Sequence, residues 1–368
     1  VCGSYRQGAT GLTGAFKRRR REGSVEGIRV IEFDLAYSNN QGFLERTLIF
    51  LKFALKSIIC ALGEPADVVF ATSTPLTAPI PRIVAKWLGR RPFVFEVRDL
   101  WPEIPRAMGV IKNRPILWGM SLLEWVAYRS ADRLIGLSPR IVHGIGRKGV
   151  NPDRMVIIPN GCDFALFAQA GLGWRPAGVN SNDFMALFTG THGPANDLDA
   201  LVEAAVELKR RGRTDVKIVL VGEGKEKPRL IEAAHSKSLD KIIIFHPPVP
   251  KKRLAGLMES ANVGLQVLAD VPAFYYGTSP NKFFDYIAAG LPVLTNYPGW
   301  IADLVCEHGA GIVVEPNGLA DGLEEMVSDR ARLASFSARS RDLAETFSRD
   351  ILYDQFRQTI CSVSGVKS

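Results

Sequence analysis

Short β-branched runs alternate with longer stretches of helical period along the whole chain. In the first half the runs at 28–33, 67–71, 92–96, 132–136 and 155–158 read as strands, and helical spacing recurs between them near 43–61, 75–89, 114–129 and 138–148. A second series follows, with strands at 184–188, 217–221, 242–245, 263–267, 291–294 and 311–314. Its helices fall near 197–211, 226–236, 251–260, 281–289, 299–305 and 318–328, and a last helix over 346–361 is expected to return to the first domain. Such alternation predicts an α/β protein with parallel sheets. Two series predict two domains, 1–168 and 183–345, joined by a Gly- and Pro-bearing linker at 169–182 and followed by a C-terminal segment, 346–368.

Length supports that division, because 368 residues exceed what one compact core usually holds. No uninterrupted apolar run is long enough to span a bilayer, and the first residues lack the pattern of a signal peptide. Five cysteines are scattered and never spaced as Cys-x-x-Cys, and the five histidines show no ligand spacing. The expectation is a cytoplasmic protein, soluble or peripheral, without a structural metal. Charge is uneven: residues 1–168 carry about +10 of the net +8, leaving about −2 for the rest. The basic half is expected to face something anionic, either a membrane surface or a phosphate-bearing acceptor. Nucleic acid is not the expected partner, since no aromatic-studded basic motif is present. The run Lys17 to Arg21 reads as a solvated loop or as a lipid-phosphate contact, and the apolar helix with Trp118 and Trp125 as core or as a membrane-facing surface.

The chemistry concentrates in the second half. Ser279 is placed to cap a short helix with Pro280 at its first position and Gly290 at its end. A helix start gathers free N–H groups and the positive end of the dipole, and Ser279, Asn281 and Lys282 add side-chain donors, so the stretch reads as a phosphate site or simply as a cap. Asp285, one turn on, is placed for ribose hydroxyls. Two further strand-to-helix loops carry glycine: residues 189–196, with Gly190, His192 and Gly193, and residues 222–225, with Glu223 and Lys225. In the first half Glu96, Arg98 and Asp99 follow a strand and precede Trp101-Pro102; they are placed for ligand contact or for a buried Arg98–Asp99 pair. Asn160 opens a turn at the end of that half. Asp197 and Asp199 match a metal-holding Asp-x-Asp pattern, but helix capping accounts for them better, and Gly222-x-Gly224 lacks the third glycine of a dinucleotide fingerprint.

Taken together, Glu96-Val97-Arg98-Asp99-Leu100-Trp101-Pro102-Glu103, Pro159-Asn160-Gly161-x-Asp163, the loop at 190–193, Gly222-x-Gly224 and Ser279-Pro280-Asn281-Lys282 with Gly290-x-Pro292-Val293 resemble family 4 retaining glycosyltransferases. Within that family the chain is most similar to the bacterial surface-polysaccharide branch that includes N-acetyl-L-fucosamine transferases. The resemblance implies two Rossmann-like domains facing across a cleft (the GT-B fold). It implies a UDP-sugar donor held mainly by the second domain, a prenyl-diphosphate-linked acceptor entering from the first, a peripheral place on the inner face of the cell membrane, and no metal or other cofactor. By the family pattern Asp285 matches the second acid of a Glu-x7-Glu motif, whereas the first falls at Gly277. Family members open with a strand and a glycine-rich loop, while the residues after Val1 resemble their second strand, which implies a first domain lacking its first strand–helix unit.

On that resemblance Gly190, His192, Gly193, Glu223, Lys225, Ser279, Pro280, Asn281, Lys282 and Asp285 bind the nucleotide sugar. Glu96, Arg98, Asp99 and Asn160 lie on the acceptor side, and Asp99 and Lys282 are the catalytic candidates. A UDP-sugar 2-epimerase and a catalytically silent nucleotide-sugar-binding subunit are the alternatives.

Overall fold

The computed structural model describes residues 1–4, 10–36, 41–73, 75–89, 91–169 and 173–364. Two compact units emerge. The first comprises Val1–Gly136, Ile141–Ile157 and Arg357–Ser368, and the second Leu137–Arg140 and Ile158–Phe356. The expected boundary at 168 falls earlier, because backbone bonds between Cys162 and both Phe347 and Arg349, with an Asp163–Arg349 ion pair, fasten this segment within the second unit. Of the expected linker, residues 170–172 lie outside the described residues.

The first unit holds two sheets. Strands β1 (Cys2–Gly3), β2 (Arg20–Val25) and β3 (Ile28–Phe33) form a small sheet in the order β1-β3-β2, with β1 parallel and β2 antiparallel to β3. Strands β4 (Val69–Thr72), β5 (Phe93–Val97), β6 (Arg133–Gly136) and β7 (Met155–Ile157) form a parallel sheet in sequence order. The strand β2 was not expected. It begins inside the basic run, and Arg21 donates to Glu32 at 2.8 and 3.0 Å, whose carboxylate is fully buried. Part of that run is therefore structural, because a buried carboxylate needs a cationic partner. The helix Arg114–Ser130 also departs from a core reading: it buries Glu124, Ala127, Tyr128 and Ser130, while Trp118 is 70% exposed and Trp125 42%. Glu124 is held inside by Tyr128 and Lys148, at 2.9 and 3.1 Å.

The second unit is one six-stranded parallel sheet. Its strands are β8 (Phe184–Thr189), β9 (Val216–Val221), β10 (Ile243–His246), β11 (Val263–Gln266), β12 (Val293–Thr295) and β13 (Gly311–Val313), in the order β10-β9-β8-β11-β12-β13. β8 and β9 are buried at every position, as a sheet covered on both faces requires. Helices Asp199–Arg210, Lys227–Ser236 and Leu319–Ser328 pack on one face. Helices Lys251–Glu259, Asn281–Ala288, Trp300–His308 and Arg330–Thr346 pack on the other. The helix Arg330–Thr346 escapes a periodicity reading because only Phe336, Ser340, Leu343 and Ala344 are buried among many polar residues. Both sequence units are thus Rossmann-like, and the strand order reverses between β8 and β11. In sheets of this kind that reversal opens a crevice beyond the carboxyl ends of the strands, where ligands bind.

Candidate functional site

At the β8–β11 reversal a single tyrosine sets the geometry. Its hydroxyl accepts from the N–H of Thr189 at the end of β8 (2.9 Å) and donates to the carbonyl of Leu265 in β11 at 3.4 Å. This is Tyr286, fully buried, and its ring occupies the space that a side chain at Gly264 would take, since a Cβ there would lie 2.4 Å from the ring. Tyr286 therefore pins the helix Asn281–Ala288 to the switch point. Lys282 lies four residues earlier, on the same helix face.

Lys282 consequently extends toward the loop after β8. Its Nζ donates to Asn196 Oδ1 at 3.0 Å and lies 4.0 Å from the Phe188 ring centre. The same Asn196 donates to the carbonyl of Thr191 at 2.8 Å, so one amide joins the lysine to the glycine loop. Among the described residues no carboxylate pairs with Lys282, and burial pulls its pKa down to about 7. A cation packed against a ring and a neutral amide, beside a helix start, is a site prepared for an anion.

The glycine loops are fastened to each other. Gly190 N–H donates to Val221 O and His192 N–H to Glu223 O, at 3.0 and 2.9 Å, while Glu226 N–H returns to His192 O at 3.1 Å. A Cβ on Gly222 would stand 1.8 Å from Gly190 O, and one on Gly224 would stand 2.1 Å from His192 O. Those two glycines therefore serve close backbone approach. The intervening N–H groups of Thr191 and Gly193 donate to no protein acceptor among the described residues, as in a loop whose alternate amides face a ligand.

Several expected residues take other parts. Ser279 does not cap the helix; Pro280 is the N-cap residue and makes no side-chain bond, because Ser279 turns to Asn160. Asn160 belongs to the second unit and not to the first domain where it was expected, and there its side-chain amide donates to Ser279 O and its N–H to Ser279 Oγ (3.4 Å), which braces the 279–282 turn. His192 is fully buried between Phe188 and Phe245, and burial, then the nearby Lys227, lowers its pKa to about 4. It is neutral near pH 7 and supplies no cation. Lys225 is exposed, whereas Lys227 donates to Gly222 O and the Glu223 carboxylate at 2.9 and 2.8 Å. Asp199 does not cap its helix but pairs with Arg229, at 2.6 and 2.8 Å, and Asp197 adopts a left-handed conformation before it.

Asp285 is 9% exposed and lies 3.2 Å from Lys251 Nζ, a residue that sequence reasoning did not select. Burial raises its pKa and the Lys251 ammonium opposes that rise. At Gly277, buried at the end of the helix Pro272–Gly277, a Cβ would meet nothing within 4 Å, so space remains where the family pattern carries an acid. In the first unit Glu96 bonds Thr72 Oγ1 and Arg98 Nη1 at 3.1 and 2.8 Å, and Arg98 N–H donates to Ser73 Oγ at 2.9 Å. Arg98 is thus tied to Glu96, and Asp99 follows in the turn after β5.

Two family descriptions match this chain: "Glycosyl transferase 4-like domain" over residues 6–161 and "Glycosyl transferases group 1" over residues 175–343. A D-inositol 3-phosphate glycosyltransferase of Gordonia bronchialis is 28% identical over 243 residues, which cover 61% of this chain and 51% of the relative. That of Rhodococcus opacus is 29% identical over 279 residues, covering 68% and 60%. The chain thus spans about half to three fifths of the length of these curated relatives. Among solved structures, Anabaena HepE in complex with UDP-glucose superposes with a TM-score of 0.67 at 17% identity, over 90% of this chain and 86% of that one. WaaG, a glycosyltransferase involved in lipopolysaccharide biosynthesis, does so with a TM-score of 0.61 at 14% identity, over 86% and 96%.

Proposed function

We propose that this chain, whose two halves match glycosyltransferase family models, is a glycosyltransferase of the GT4 type that transfers a hexosyl group from a UDP-sugar to a hydroxyl of a lipid-linked acceptor, with retention at the anomeric carbon. The observation that carries the reading is Lys282, a half-buried ammonium with no carboxylate partner among the described residues, set against the glycine loop at the switch point of the six-stranded sheet. The relatives' substrates support it by analogy: HepE is described with UDP-glucose.

In this mechanism the bond between the anomeric carbon and the diphosphate oxygen breaks, and the electron pair stays on the leaving UDP. Lys282, the N–H groups of Thr191 and Gly193 and the first turn of the helix Asn281–Ala288 stabilise that charge. The acceptor hydroxyl forms the new bond on the same face, and its proton passes to the departing phosphate. Asp285 and Lys251 bracket the ribose, and Glu96, Arg98 and Asp99 receive the acceptor. No further cation is needed where Lys282 and the helix start already supply positive charge.

The lipid side of the reading rests on the first unit. Leu44, Leu48, Leu51, Leu55, Ile59 and Leu62 form an exposed stripe along the helix Phe43–Gly63, and Trp87, Trp118 and Trp125 are exposed on two further helices. Among the described residues no helix is long and apolar enough to cross a membrane. An apolar stripe with tryptophans on a basic unit suits an anionic bilayer surface, the inner face of the cell membrane, in surface-polysaccharide synthesis. Mass spectrometry after incubation with UDP-hexoses and a prenyl-diphosphate-linked sugar tests the proposal. A hexose added to the lipid supports it; free epimerised UDP-sugar without acceptor, or no product beside normal UDP binding, replaces it with one of the two alternatives.

A further inference from the structure

Gln266 closes β11 and Thr295 closes β12, and the two stand opposite each other in the six-stranded sheet. Just past β12, Tyr297 turns its hydroxyl back to that edge, where Gln266 Nε2 donates to it at 2.8 Å and the Thr278 hydroxyl lies within hydrogen-bond reach. Gln266 is 0% exposed and Tyr297 2%. Among the described residues Gln266 Oε1 has no partner, so the phenol is what fixes the amide. A core that needed only volume would be filled by Leu and Phe, whereas a buried amide bonded to a buried phenol specifies one arrangement.

What that arrangement holds is the segment 267–278, which leads from β11 to the turn before the helix Asn281–Ala288. Asn296 Oδ1 accepts from Leu268 N–H at 3.1 Å, and Asn296 Nδ2 donates to Leu268 O at 3.5 Å. The Tyr275 and Tyr297 rings lie nearly parallel, 8° apart in plane with centres 6.3 Å apart, and a Cβ on Gly299 would stand 2.2 Å from Tyr275 O. The residues after β12 thus grip the segment at its start, its middle and, through Thr278, its end. On its other side Ala269 N–H donates to Ala195 O at 3.0 Å, beside the Asn196 that bears Lys282.

On the donor reading proposed above, Asp285 and Lys251 bracket the ribose, and Lys251 begins the helix that follows β10, on one side of the strand reversal. The segments after β11 and β12 lie on the other side, so a sugar attached beyond the diphosphate meets residues 267–278. Gly277 offers it no side chain. We infer that Tyr297 is a positioning residue for transfer: its hydroxyl and ring fix the backbone up to Thr278, and that backbone orients the anomeric carbon while Lys282 holds the diphosphate. A loosened segment still admits UDP but presents the sugar in many poses, which lowers the rate of bond breaking and leaves nucleotide affinity in place. The inference rests on the donor reading and adds to it a residue that touches no substrate.

Hydrolysis of UDP-hexoses to UDP and free hexose without acceptor, followed beside UDP calorimetry and melting curves of the full chain, tests it. The donor used is whichever of UDP-glucose, UDP-galactose and UDP-N-acetylglucosamine the parent hydrolyses fastest. Tyr297→Phe removes one hydroxyl and keeps the ring; it is expected to lower kcat about tenfold, the upper range for one hydrogen bond, with UDP affinity within about twofold of the parent's. Gln266→Leu is expected to lower kcat likewise and also Tm, because it leaves the phenol without its donor. The double variant replaces both partners by apolar groups and is expected to regain the parent's Tm without regaining kcat. Recovery of kcat together with Tm, or an unchanged kcat in Tyr297→Phe, overturns the positioning role, as does a parent that binds UDP and hydrolyses none of the three donors. A folded parent that binds no UDP removes the donor reading itself.

Discussion

Lys282 Nζ and Asn196 Oδ1 lie 3.0 Å apart, so the half-buried ammonium rests on a neutral amide and not on a carboxylate. That pairing keeps its charge available to a ligand. Asn196→Asp inserts the missing anion, and the lysine is then satisfied within the protein. The variant should bind UDP about tenfold more weakly, roughly 1.4 kcal/mol, with a Tm no lower than the parent; calorimetry showing equal affinity would separate Lys282 from the diphosphate.

Protonation offers a second handle. Burial lowers the Lys282 pKa from 10.5 to about 7. Between those values the unfolded chain holds a proton that the folded chain does not, so this group's contribution to stability rises with pH across the window. A bound diphosphate favours the charged form and raises the pKa, so binding takes up a proton above pH 7. UDP affinity is therefore expected to be greatest below pH 7 and to weaken by up to tenfold per unit above it. Titrations in buffers of different ionisation enthalpy should register the uptake; a flat affinity from pH 6 to 9 would contradict it.

Asp285 is proposed to hold the ribose while paired with Lys251 at 3.2 Å. Asp285→Asn should lower UDP affinity about tenfold, within the range of a hydrogen bond to a charged group. The informative comparison uses 2′,3′-dideoxy-UDP: the parent should prefer UDP, and the variant should scarcely distinguish the two. Retained discrimination would place the ribose elsewhere.

Gly222 tests the scaffold beneath the site. A Cβ there would stand 1.8 Å from Gly190 O, and neither backbone can yield without breaking the bonds that join the loops. Gly222→Ala should cost about 3 kcal/mol, read as a lower denaturation midpoint, and UDP binding should weaken with it. A variant of parental stability would show that the loops can part.

Much of this was legible in the residues. The strand–helix alternation placed the two parallel sheets, since buried parallel strands read as β-branched runs, and Gly290 and Lys282 marked the helix that bears the candidate site. What escaped was the part set by tertiary contact. Nothing in the residue order marks Tyr286, because its place depends on the room that Gly264 leaves for its ring. Ser279 and Asp199 matched capping preferences, but Asn160 and Arg229 engage them. His192, chosen for its place in the glycine loop, is buried between aromatic rings. The helix Arg330–Thr346 hid because its buried side is small, and β2 because arginines rarely announce a strand.

The central claim is that a nucleoside diphosphate binds at the helix Asn281–Ala288 through Lys282. Titration of UDP into the chain and into its Lys282→Met variant at pH 6.5, beside their melting curves, tests it most directly. The account predicts binding by the parent, affinity lowered by about a hundredfold in the variant, on the order of 2.7 kcal/mol, and unchanged Tm. Equal affinities, or no binding of UDP by the folded parent, would contradict it.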